Sequence, residues 1–188
     1  MKRSSTVVLS LTALTLLTAG CGYNKIQTMD EKVNQAQGQI QTQLQRRADL
    51  IPNLVNTVKG VTKQEDTVFI SIANARAKLS GAVQSGNVAD MSAANTALSQ
   101  GLGRLLAISE NYPELRSSEN FRQLQDQLEG TENRISVARQ DYNTSVGEFN
   151  AFIRRFPYNL TAKVFGLGKS RDYFEAAPGS TEAPKVQF

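Results

Sequence analysis

The chain lacks histidine and tryptophan altogether and holds one cysteine, Cys21, in 188 residues. Without histidine or a second cysteine it cannot assemble a zinc-ligand set or an internal disulfide. Ser-His and Cys-His nucleophilic chemistry are excluded on the same ground. No resident cofactor is expected. Strong charge of one sign is also missing. Once Lys2 and Arg3 are set aside, the 21 basic and 17 acidic residues come within two of parity. No aromatic residues alternate with Lys or Arg as a base-stacking surface would require, so nucleic acid is not an expected partner. Proline is sparse, falling only at Pro52 and Pro113 between Tyr23 and Phe156. That leaves long stretches free to form helix.

What is present begins with Met1-Lys2-Arg3, an uncharged run over Thr6–Ala19, and Ala19-Gly20 immediately before Cys21. A charged start, an apolar middle and small residues at the end make a secretion leader over residues 1–20. A cysteine directly after such residues resembles a bacterial lipobox, although Thr18 stands where leucine is usual and Leu17 lies one step earlier. Two anchors are therefore open: acylation of Cys21 after cleavage, or an uncleaved N-terminal helix. The second has a short, threonine-rich run with which to span a bilayer. Either anchor places the body of the protein on the non-cytoplasmic side of a bacterial envelope membrane.

Hydrophobic periodicity then predicts four helices. Over 24–62, Val33, Ala36, Ile40, Leu44, Arg47, Ile51, Leu54, Val58 and Val61 recur at three- or four-residue intervals, with glutamines between them. Over 64–83 the stripe is Val68, Phe69, Ile72, Arg76, Leu79 and Val83, and Gly81, Gly86 and Asn87 mark a turn. Over 88–110 it is Met91, Ala94, Leu98, Leu102, Leu105 and Ile108, ending before Tyr112-Pro113. In the last helix, capped by Ser117 or Ser118, Phe121, Leu128, Ile135, Tyr142 and Phe149 form a heptad series.

Four amphipathic helices with short turns predict an all-α, antiparallel up-and-down four-helix bundle. Its first and fourth helices, each about 50 Å, are longer than the middle pair. In that topology the first helix rises from the membrane and the fourth returns to it, so residues 156–175 emerge at the membrane end. This segment mixes Phe156, Tyr158, Leu160, Val164, Phe165 and Leu167 with Lys163, Lys169 and Arg171. It either lies on anionic headgroups or folds back to close the end of the bundle. Gly166-Leu167-Gly168-Lys169-Ser170 is not a phosphate loop, because Lys163 occupies the position of the required first glycine. Residues 176–188 lack periodicity and are expected to be a disordered tail, so the helical domain is 21–175.

The run Arg46-Arg47-Ala48-Asp49-Leu50-Ile51-Pro52-Asn53-Leu54-Val55 closely resembles the LemA family. The resemblance extends through Glu65, Ala75-Arg76, Glu132-Asn133-Arg134-Ile135, Ala138-Arg139, Tyr142-Asn143, Asn150, Phe156-Pro157 and Tyr173-Phe174. It implies an all-α, membrane-anchored bacterial protein with no established catalytic activity. Many family members look as though they begin with a transmembrane helix, and Cys21 departs from that pattern.

Within the resembling run, Pro52 removes one helical hydrogen bond and leaves the Ala48 carbonyl without its usual donor, a vacancy Arg76 is placed to fill. Arg47 lies on the apolar stripe, where an unpaired charge would be costly. Counting about 1.5 Å per residue from the membrane end places Arg47 and Glu132 at similar heights, with Arg76 nearby. The expectation is an internal cluster of Arg47, Arg76 and Glu132, joined by Asp49, Asn53 and Arg139. It serves either helix register or a partner. Asp49 and Glu132 could in principle form the acid–base pair of an envelope-polymer hydrolase, but neighbouring arginines disfavour the protonated acid such a pair needs. The function expected is therefore a non-catalytic interaction or scaffold module that engages another envelope protein or a copy of itself. Hydrolysis and direct lipid binding or membrane shaping are the alternatives.

Overall fold

The computed structural model describes the backbone of residues 2–61 and 66–175, with side chains from residue 22 onward in those ranges. The Cys21 side chain, Glu65 and the tail after residue 175 lie outside the described residues. All the described regular structure is helical: α1 (Lys2–Lys59), α2 (Asp66–Ser85), α3 (Val88–Ser109), α4 (Pro113–Ser117), α5 (Glu119–Arg154) and α6 (Tyr158–Val164). The fold class is all-α. Among the described residues no helix is long and apolar enough to cross a membrane.

The chain forms two compact units. One comprises residues 1–37 and 142–172, the other 38–141 and 173–188. In the second unit, the α1 stripe buries Ile40, Leu44, Arg47, Ile51, Leu54 and Val58, as its spacing requires. Val61, past the end of the helix, is exposed. Helix α2 buries Phe69, Ile72, Ala75, Leu79 and Ala82. The stripe is thus rotated from the predicted one: Ala75 occupies the inward position assigned to Arg76, and Val68 and Val83 are only half-buried.

The turn after α2 falls at Gly86 and Asn87, two of the three residues expected there, and not at Gly81. Gly81 is inside the helix, and Gly86 ends it with φ 71°. This left-handed conformation is one that glycine adopts without a Cβ clash. Asn87 follows at once as the N-cap of α3, its side chain accepting from the Asp90 N–H. Gln41 of α1 donates to the Val83 carbonyl, one of the free acceptors in the last turn of α2. Helices α2 and α3 pack together, closely enough that a Cβ on Gly101 would stand 2.9 Å from Ile72 Cγ1.

Two short helices are additional to the four predicted. Pro113 opens α4 from its first turn, the helical position where its missing N–H costs nothing. Ser118 then caps α5, its hydroxyl accepting from the Phe121 N–H. Toward its end α5 departs from a strict heptad. Burial passes from Phe121, Thr131, Ile135 and Ala138 to Tyr142, Val146, Phe149, Asn150 and Ile153.

The first unit is completed by the segment after α5, where the Phe156–Pro157 peptide is cis. Helix α6 ends in a Schellman arrangement. Gly166, at φ 70°, donates to the Lys163 carbonyl, and Leu167 donates to that of Ala162. This is the structural use of the Gly166-Leu167-Gly168 stretch. The chain then folds back. The Asn150 side-chain amide pairs with both backbone groups of Arg171, at 2.8 and 2.9 Å. The Arg171 guanidinium reaches Asp30 at 2.7 Å and Asn34 at 3.2 Å. The Tyr142 hydroxyl donates to the Asp172 carbonyl. Of the two fates weighed for 156–175, folding back holds for Tyr158 and Ala162 on the inner face of α6 and for residues 165–172.

Candidate functional site

Arg47 reaches the second unit's interior because α1 carries it one turn beyond Leu44 and one turn before Ile51 on the same buried stripe. Only 5% of the residue is exposed. Its Nη1 lies 2.5 Å from Glu132 Oε2 on α5 and donates to Asn95 Oδ1 on α3 at 2.7 Å. Its Nε is buried without a partner among the described residues. Burial pulls the Arg47 pKa below its ordinary value, and the Glu132 carboxylate opposes that shift. Glu132 is half exposed, so one end of the pair touches solvent while the other is sealed. The three groups join α1, α3 and α5.

The structure does not bring the rest of the expected cluster to Arg47. Arg76 is half-buried on α2 and turns to the α1 backbone, where its Nε donates to the Ala48 carbonyl at 2.8 Å. Asp49 is exposed and accepts from Gln45 on its own helix. Asn53 is exposed, and its carbonyl accepts from Thr57. Positions 49 and 53 follow Arg47 by two and six residues, which turns them away from its face of the helix. Arg139, half-buried, stands seven residues after Glu132 on α5 and contributes no contact to the Arg47 network. The acid–base pair weighed above is not assembled either. Asp49 sits on the exposed side of α1, while Glu132 is engaged by a guanidinium.

Asn95 was missed. Its signal was in the sequence: it lies midway along the Met91–Leu98 apolar stripe, where a polar amide needs a buried partner.

Beside Arg47 the second unit holds a cleft of about 480 Å³. Leu54, Leu102, Leu106 and Leu128 form its apolar lining. Asp126, Glu129 and Glu132, three residues apart along α5, supply three carboxylates at its edge. Among the described residues Arg47 is the only cation in the lining, and Glu132 already engages it. The cleft therefore presents leucine surface and surplus negative charge. Such a site suits an apolar segment carrying lysine or arginine.

These features define an all-helical protein with a charged network spanning three helices and an acid-edged apolar cleft beside it. The chain belongs to the LemA family, whose profile matches residues 36–188. It is similar to the magnetosome proteins MamQ 1 and MamQ 2 of Paramagnetospirillum magneticum strain AMB-1. Each is 26% identical over 181 residues, an alignment covering 83% of this chain. The chain spans about 65% of the length of those two relatives. It is also 26% identical over 199 residues to MamQ of Magnetospirillum gryphiswaldense, with 93% of this chain and 72% of that protein covered.

Proposed function

We propose that the protein is a membrane-attached, non-catalytic binding module of the bacterial cell envelope. It is built as an antiparallel four-helix bundle of α1, α2, α3 and α5. Its cleft receives an apolar, basic helical segment of another envelope protein. The leader-like N-terminus, with Cys21 or the preceding helix as anchor, supports attachment. So does the likeness to proteins named for an organelle, the magnetosome. The observation that carries the binding reading is the cleft itself, with four leucines inside and three carboxylates along α5. Apolar burial supplies most of the affinity of helix-in-groove recognition, and edge charges set orientation and choice of partner. The Arg47 network holds α1, α3 and α5 in the register that keeps the cleft open.

The test is photocrosslinking in intact cells from Gln125, which lines the cleft, compared with Ile70, exposed on α2. The expected result is one predominant adduct from Gln125, absent from Ile70 and lost when Asp126 and Glu129 are both replaced by lysine. An adduct that survives this charge reversal, or the same products from both positions, overturns the reading.

A further inference from the structure

Helix α6 has two dissimilar faces. Tyr158, Thr161 and Ala162 point inward. Tyr158 stacks on Phe152 with ring centroids 4.2 Å apart, and Ala162 is fully buried. A Cβ built on Gly22 of α1 would lie 2.9 Å from Tyr158 Cδ1 and 3.6 Å from Thr161 Oγ1. Helix α6 therefore seats directly on α1 at residue 22, one position after Cys21 and three after the end of the Thr6–Ala19 uncharged run. Phe165 closes the same end, its ring 4.8 Å from that of Tyr23.

The other face is apolar and uncovered. Phe156 is 79% exposed, Leu160 54% and Val164 79%. Leu160 and Val164 stand one turn apart on α6, with Phe156 just before the helix. Large apolar side chains left together in water are costly, and each loses solvent contact only if something covers it. The segment that carries them is basic, between Glu148 and Asp172. From Phe149 to Arg171 there are five basic residues (Arg154, Arg155, Lys163, Lys169 and Arg171) and no acidic one. Only Arg171 of these is ion-paired among the described residues, to Asp30.

We infer that the outer face of α6 is an interfacial membrane-docking surface, its occupant the headgroup layer of an anionic bilayer. The inference rests on the membrane attachment proposed above. Its position makes the argument. Whether Cys21 is acylated or the preceding helix is retained, residue 22 is where the chain leaves lipid, and α6 is packed on residue 22. Aromatic and aliphatic side chains with interspersed lysine and arginine are the composition that settles at that depth. Basic residues near an anionic surface each contribute about 1 kcal/mol, roughly fivefold in the bound-to-free ratio. A tether alone lets the helices swivel. A tether plus a docked face fixes the orientation of α1 to the membrane.

The absence of native tryptophan makes a direct test available. Full-length Phe156→Trp and, as control, Val137→Trp (exposed on α5) are reconstituted into phosphatidylcholine vesicles with or without phosphatidylglycerol. Brominated acyl chains serve as quencher about 5–10 Å below the headgroups. Flotation of the vesicles is measured in parallel. The expected result is flotation of both proteins, with a blue-shifted, bromine-quenched Phe156→Trp and an unquenched Val137→Trp. Quenching should increase with phosphatidylglycerol. It should fall with salt and in Arg155→Gln/Lys163→Gln. Both proteins floating with equal quenching sinks the docking inference and leaves attachment standing. Neither protein floating sinks both. A blue shift that follows protein density and not bromine assigns the face to a second copy of the chain and also overturns the inference. Circular dichroism of each variant confirms that it remains helical.

Discussion

The Arg76 guanidinium, on α2, donates its Nε–H to the carbonyl of Ala48 on α1 at 2.8 Å. Ala48 precedes Pro52 by four residues. Its carbonyl is therefore the one that an N–H at position 52 would have satisfied. Ala48 is fully buried, so water does not reach that carbonyl in place of a protein donor. A side chain from a second helix repairs the break that proline makes in the first.

This pairing predicts coupling. Arg76→Ala should cost about 1–3 kcal/mol by leaving a buried acceptor without a donor. Pro52→Ala supplies the missing backbone N–H, so the same Arg76→Ala change made in that background should cost much less. Urea denaturation of the four proteins at constant m-value measures the interaction, expected at about 1–2 kcal/mol. Simple additivity would mean that Arg76 acts elsewhere.

The Arg47 network makes a second, sign-sensitive prediction. Glu132→Gln leaves a buried guanidinium with Asn95 as its main partner and should cost about 1–3 kcal/mol, moderated because the carboxylate is half exposed. Adding Arg47→Met to that variant removes the stranded charge while filling its space. The double variant should therefore be more stable than Glu132→Gln alone. Thermal melts of the three proteins decide it. A double variant less stable than the single would show that Arg47 stabilises the fold without Glu132, through its bond to Asn95.

Much of this was legible in the sequence, for physical reasons that can be named. The α1 stripe from Val33 to Val58 is buried at the predicted positions because eight residues at helical spacing leave one consistent inward face. Arg47 and Glu132 meet because a charge on that face must be paired and the helical rise fixes where a partner can stand. Arg76 covers the Ala48 carbonyl as its position suggested, but it does not join Arg47 and Glu132. Its stripe carries alanines at 75 and 82, small enough to be overlooked beside Val68 and Val83, and one position of rotation turns Arg76 from a core site to the α1 backbone. Gly81 mimicked a helix stop. A glycine inside a helix costs only about 1 kcal/mol, whereas Gly86 and Asn87, read as part of the same turn, do end α2 and cap α3. Asp49 and Asn53 follow Arg47 by two and six residues, which puts them on another face of α1, and Arg139 lies two turns along α5 from Glu132, about 10 Å away along the helix.

Glycines in two settings should respond oppositely to alanine. At Gly130 on α5 a Cβ meets nothing within 4 Å, so Gly130→Ala should stabilise by about 0.5–1 kcal/mol through lower backbone entropy in the unfolded chain. At Gly101 the Cβ falls 2.9 Å from Ile72 Cγ1 across the α2–α3 contact. Gly101→Ala should destabilise by about 1–3 kcal/mol as overpacking. Pairing Gly101→Ala with Ile72→Val trims the neighbouring side chain and should recover part of the loss. Chemical denaturation distinguishes these outcomes, and equal gains at both glycines would remove the close α2–α3 packing from the account.

Alkaline pH should loosen the fold-back through Tyr142. Its hydroxyl donates to the Asp172 carbonyl. Burial, first, and then the Asp172 carboxylate push its pKa above the ordinary 10.0, against a lowering effect from Arg171. A tyrosine whose folded pKa exceeds its unfolded value contributes stability that is complete below pH of about 10. Above that, the unfolded chain releases its phenolic proton first, and the contribution is lost as pH rises toward the folded value. Tyr142→Phe should cost about 1 kcal/mol at neutral pH through the missing hydrogen bond. Because lysines and the other tyrosines titrate in the same range, the informative quantity is the stability of the parent protein minus that of Tyr142→Phe. That difference should shrink as pH rises above about 10. A difference that stays constant across this range would place the Tyr142 hydroxyl in solvent and release the segment at Asp172 from α5.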